Sequence, residues 1–158
     1  MAITQYEDAT YLEAVYAALF ALLKPATAAS GITLASSQRT LQVPDEIPIP
    51  QQPCLMQVNG PIRAEQKEFS LTKWTITAVA VLYMRADGSS EPGVLPATQA
   101  NNWVWATARA FETQPPYEKQ TLGGLVYHAW IEGEVLTEVQ NQQIVITIPI
   151  FILAGPVG

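Results

Sequence analysis

Few side chains in this chain can do chemistry. It holds one histidine, His128, and one cysteine, Cys54. His128 stands in LVYHAWIEG, where alternation puts it in register with Val126 and Trp130 on a strand face. With no second histidine and no nearby cysteine, a metal site there would need scattered carboxylates, so a packed or hydrogen-bonded strand histidine is expected. Cys54 opens the apolar run CLMQV and reads as a small buried hydrophobe, not a nucleophile. Glu132 and Glu134 flank Gly133, and on a regular strand that spacing turns both carboxylates to one face. Glycosidases draw such pairs from separate elements around a cleft. With Glu138 nearby, these read instead as an acidic solvated or interface edge. Gly123-Gly124 precedes a strand, whereas phosphate-cradling glycines follow a strand and open a helix. No nucleophile, base and orienting group assemble from this set. The expectation is no catalytic residue, no cofactor and no metal.

The elements that must position these residues follow from periodicity. A first helix is expected over Glu7–Leu23, with Thr10 and Glu13 as a capping box and Lys24-Pro25 as its end. Its stripe is Leu12, Val15, Tyr16, Leu19, Phe20 and Leu23, and alanines make the other side small. Residues 26–36 read as a connection. The segment PDEIPIPQQP, with Pro44, Pro48, Pro50 and Pro53, reads as a stiff extended arm without ladder donors. Cys54–Val58 is strand-like, Asn59-Gly60-Pro61 reads as a turn, and Arg63–Glu68 is a short charged segment. Lys73–Met84 alternates as a long strand, with Trp74, Ile76, Ala78, Ala80, Leu82 and Met84 on one face. A loop over Arg85–Gly93 leads to a second helix from about Pro96 to Phe111, with Trp103, Thr107, Ala110 and Phe111 inward.

The chain closes on a hairpin: Leu125–Val139, bent at Gly133, then a turn over Gln140–Gln143, then Ile144–Leu153. Five isoleucines alternate along the last strand, with Val145, Phe151 and Leu153 on the other face, so both faces call for cover. Pro149 lacks an N–H and argues for an edge strand, or for a donor direction pointing off the ladder. The fold class expected is α+β: a mostly antiparallel β-sheet with two α-helices packed on one face and a long C-terminal β-hairpin. One domain over residues 1–158 suits the length.

Composition excludes several classes. Only 14% of residues are charged against 49% hydrophobic. Average chains carry about 25% charged residues, so some apolar surface is expected to be covered by partners or copies. The net charge is −6 and the bases are scattered, so the basic stripe of a nucleic-acid reader is absent. A lone cysteine excludes an internal disulfide framework. Ala14–Leu23 has signal-peptide length, yet Glu7, Asp8 and Glu13 stand where a positive segment belongs, and the run is short for a bilayer. A soluble protein made in the cytoplasm, with no membrane partner, is expected.

The stretch Gln120–Leu153, QTLGGLVYHAWIEGEVLTEVQNQQIVITIPIFIL, resembles the closing hairpin of phage tail terminator proteins, also called minor tail protein U-like or tail-completion proteins of long-tailed phages. The Gly-Gly entry, the aromatic strand, the Gly-kinked WIEG and the isoleucine-alternating end occur in that order. The opening helix, the Arg-containing Ser37–Val43 and the Pro-led Pro53–Val58 extend the resemblance. It implies a structural virion protein at the head-proximal end of the tail, assembled in the host cytoplasm. In that family a ring, usually of six copies, stops tube polymerisation and offers a surface to the head connector. The partners implied are copies of itself, the major tail tube protein and a head-completion or connector protein, with DNA passing through the lumen unbound.

Exposure and composition, not a family motif, nominate the contact residues: Asp45 and Glu46 on the proline arm, Arg63, Glu65, Lys67 and Glu68 in the charged segment, and Arg85, Asp87 and Glu91 in the loop. Two alternatives stand beside this reading. One is another head–tail joining or neck protein. The other is a small apolar-ligand carrier whose pocket is lined by Trp74, Trp103 and Phe111.

Overall fold

The computed structural model describes residues 9–68, 72–85, 96–112, 119–140 and 142–155. Helix α1 (Tyr11–Ala29) leads into β1 (Ser36–Thr40), β2 (Cys54–Glu65) and β3 (Lys73–Arg85); α2 (Pro96–Ala110) precedes β4 (His128–Ile131), β5 (Leu136–Gln140) and β6 (Gln143–Ala154). The sheet runs β1-β2-β3-β6-β4, with β5 pairing β6 beside β4. All pairings are antiparallel except β1 with β2. This is the α+β layer architecture, a mixed and mostly antiparallel sheet with a C-terminal hairpin.

Alternation decides the two faces. On the first, Ile144, Ile146, Ile148, Ile150 and Ile152 of β6 lie beside Met84, Leu82, Ala80, Ala78 and Ile76 of β3. All ten are buried in one cluster with Val15, Leu19 and Leu23 of α1 and with Ala100 and Trp103 of α2. Each fully buried isoleucine contributes about 1.5–3 kcal/mol of burial, so this face is the main store of stability. Some polar groups inside it are tied down, while Tyr16 Oη, Gln57 Oε1, Gln99 Nε2 and Thr107 Oγ1 are buried with no hydrogen-bond partner among the described residues. The Trp103 indole N–H donates to Thr27 Oγ1 at 2.9 Å, and that hydroxyl donates to the Leu23 carbonyl at 2.9 Å. Gln57 Nε2 donates to the Tyr16 carbonyl at 2.9 Å, joining β2 to α1.

Several local expectations are corrected. Pro25 does not end α1; it lies inside the helix, which continues to Ala29. Proline removes the bond to the residue four earlier, here Ala21, and both residues are on the exposed side, where water can serve the freed carbonyl. The helix is thereby long and apolar enough to cross a membrane by length and composition, while Val15, Leu19 and Leu23 are buried against the sheet. Thr10 makes no side-chain cap bond, and Glu13 instead pairs with Arg39 of β1. Asn59-Gly60-Pro61 is not a turn. β2 runs through it with a register shift between Asn59 and Ile62, and Thr77 Oγ1 donates to the Pro61 carbonyl at 2.5 Å. A side chain on Gly60 would collide with Thr77, which is why this irregularity takes glycine.

β6 is central, so Pro149 is not on an edge strand. It pairs with Val79 on one side; on the other, the partner breaks off between Ile131, opposite Ile150, and Leu136, opposite Thr147. The missing donor falls where no ladder is continued. Gly133, at φ +116°, turns the chain inside that break, and a Cβ there would lie 3.2 Å from Pro149 Cγ.

Candidate interaction face

The second face of the sheet is finished in two different ways. Its first half, near the β2 start and the β3 end, carries Cys54, Met56, Val58, Val81 and Tyr83, a separate buried cluster that includes Ile47. The proline arm covers it. Ile47 inserts against the sheet, and Tyr83 Oη donates to the Pro44 carbonyl at 2.6 Å. Gln143, only 2% exposed, donates through Nε2 to the Asp45 carbonyl at 2.9 Å, and its Oε1 accepts from Ile47 N at 3.3 Å and Gln52 Nε2 at 3.2 Å. Burial pushes the Cys54 thiol up, against a hydrogen bond from Ser36. Burial, then the charges of Cys54 and Asp45, push the Tyr83 hydroxyl up to about 12.

The second half has no such strap among the described residues. Thr75, Thr77, Pro149, Phe151, Leu153, His128 and Trp130 share it by register. His128 stacks on Trp130 at 5.1 Å between ring centroids, and Trp130 stacks on Phe151 at 6.0 Å. All three rings are half-buried and Leu153 is 37% exposed. Burial, then the charge of Lys119, holds the His128 imidazole below its ordinary value, while the Gln120 backbone works the other way. A neutral ring stacked on tryptophan is a packing element, in line with the strand-histidine expectation.

The nominated contact residues do not form one patch. Asp45 and Glu46 are exposed on the arm, and Arg85 ends β3 opposite Gln143, all at one end of the sheet. Arg63, Glu65, Lys67 and Glu68 are exposed at the other end, where Glu65 pairs with Lys73. β3 spans Lys73–Arg85, so the two groups are roughly 40 Å apart at strand rise. Asp87 and Glu91 lie outside the described residues. Glu132 and Glu134 are exposed, but they sit in the break between β4 and β5 and share no regular strand face.

The rival pocket residues are also placed. Trp103 and Phe111 are buried in the main core and Trp74 packs against it. An open depression of 440 Å³ lies elsewhere, lined by Lys24, Ala28, Gly31, Ile32, Thr33 and Leu34. Among the described residues no group of three or more His, Cys, Asp or Glu could hold a metal ion. The sequence matches no protein-family model and no curated protein.

Sequence reasoning missed the half-open aromatic row as a unit. Its signal was there: HAWI and IFIL each put aromatic or apolar residues on the face opposite the isoleucines. Further exposed apolar residues lie outside this row, with Trp105 of α2 68% exposed, Val139 of β5 69% and Leu41 before the arm 80%. Trp103 and Trp105 do point to different sides of α2.

Proposed function

We propose that this protein is a structural, non-enzymatic assembly subunit, a phage tail terminator that forms a ring on the head-proximal end of the tail tube in the virion. The observation that carries this reading is the division of the second sheet face. One half is strapped by the chain itself, and the other leaves a stacked aromatic row half-open, on the same face as exposed Leu136 of β5. Large apolar patches on a small chain mark places where another surface sits.

The separation of the charged groups supports the reading further. A ring subunit on a tube needs two opposed surfaces, one toward the tube protein and one toward the head connector. The Arg63–Glu68 end and the Asp45, Glu46 and Arg85 end provide a pair of that kind. Lateral contacts in a closed ring repeat one heterologous contact through a fixed rotation, a role the aromatic row and the β5 edge suit. Copies that each carry −6 repel phosphates, so duplex DNA passes without sticking.

Native mass and negative-stain imaging of the pure protein, alone and with purified tail tubes, test this. Closed rings, free or capping tube ends, are expected. A strict monomer that leaves tube ends bare overturns it.

A further inference from the structure

The proline arm is fastened in an unusual manner for a segment that covers apolar surface. Only Ile47 inserts deeply; Asp45, Glu46, Pro48, Ile49, Pro50 and Gln51 are exposed. What holds the rest is a small set of polar bonds. Gln143 makes three of them, and Tyr83 Oη and Ser36 Oγ each donate to an arm carbonyl, Pro44 and Gln51 respectively. Beneath the arm is a cluster distinct from the main core, on the opposite face of the sheet. Releasing the arm therefore leaves the helices, the isoleucine row and their burial untouched. Prolines limit the conformations the freed segment gains, so it is released as a stiff piece.

We propose that residues 44–52 are a strap that opens as a unit, with Gln143 as its latch, uncovering the apolar strip of Cys54, Met56, Val58, Val81 and Tyr83 while the main fold stays intact. Opening joins that strip, through Val79 and Pro149, to the aromatic row, so the whole second face becomes one apolar surface. This goes beyond the ring reading and does not depend on it, since it concerns the isolated chain.

Cys54 reports the opening, because it is the sole thiol and is 1% exposed when the strap is closed. Labelling by a chromogenic disulfide reagent is followed for the natural chain, Gln143→Ala and Ile148→Val, alongside denaturant unfolding of each. Gln143→Ala is expected to speed labelling at least tenfold at unchanged secondary structure. Ile148→Val weakens the main core and is expected to lower global stability while leaving the labelling rate within twofold. Labelling that rises with Ile148→Val in proportion to lost stability, or that ignores Gln143→Ala, shows that Cys54 is reached only through global unfolding and overturns the proposal.

Discussion

The two faces of the sheet are made from alternate residues of the same strands, yet they are closed by different means. The first presents isoleucine, leucine and methionine to two helices, with Trp103 bonded to Thr27 and Gln57 bonded to the Tyr16 carbonyl. The second presents smaller residues, threonines and aromatics, and receives a short proline segment over half its length. Continuous apolar burial gives the first face its stability. On the second, a few polar bonds from buried side chains decide whether the surface is covered. Such bonds contribute about 1 kcal/mol each, so the second face is the one whose cover is more easily released.

The widest difference is expected from truncating the centre of each cover. Trp103→Ala should cost about 3–5 kcal/mol of unfolding free energy, measured by denaturant titration, because it empties the helix-to-sheet core. Ile47→Ala should cost about 2 kcal/mol, at the low end for isoleucine truncation, because the arm closes over it from solvent. Equal losses would erase the proposed distinction between the faces.

A smaller effect on stability, with a larger one on assembly, is expected at the sheet ends. Arg63→Glu together with Lys67→Glu should change stability by about 0.5 kcal/mol or less while impairing ring formation or tube capping in native mass and electron micrographs. Loss of the unfolding transition itself would show these residues to be structural.

The two halves of the second face should also answer to pH at opposite extremes. His128 is held below its ordinary value of 6.5, so the unfolded chain binds the proton more readily. Its contribution is present above pH 6.5 and lost as pH falls through the folded value. His128→Phe should flatten stability across the acidic range. Tyr83 is raised from 10.0 to about 12, so its contribution is present below pH 10 and lost as pH rises through 12. Tyr83→Phe should remove that alkaline loss. The smallest expected signal is DNA binding: a mobility shift with linear duplex near physiological salt should show none at micromolar protein.

Where one physical rule acts over a few residues, the sequence was legible. The strand over Lys73–Met84, the isoleucine row and the second helix with Trp103 inward and Trp105 outward all stand as periodicity placed them. Rules about proline and glycine were read too locally. Pro25 is tolerated in a helix because its unmade bond faces solvent, and Pro149 in a central strand because the neighbouring strand breaks there. Gly60 reads as a turn signal in isolation, but β2 runs on through it, paired with β3 at Asn59 and Ala78 before the register shift and at Ile62 and Ile76 after it.

By itself, then, the sequence determined the buried face of the long strands and most of the buried stripe of each helix, because side-chain direction follows from backbone period; at the start of α1 the stripe was misplaced, with Tyr11 buried and Leu12 exposed. It also determined that the chain holds a single histidine and a single cysteine, which is a matter of inventory. Only the tertiary structure decided what covers each face. The arm folds back because Gln143, distant in sequence, offers donors and acceptors at the spacing of its backbone, and the aromatic row forms because β4 pairs with the end of β6. These are contacts between segments far apart along the chain, and no local pattern encodes their register.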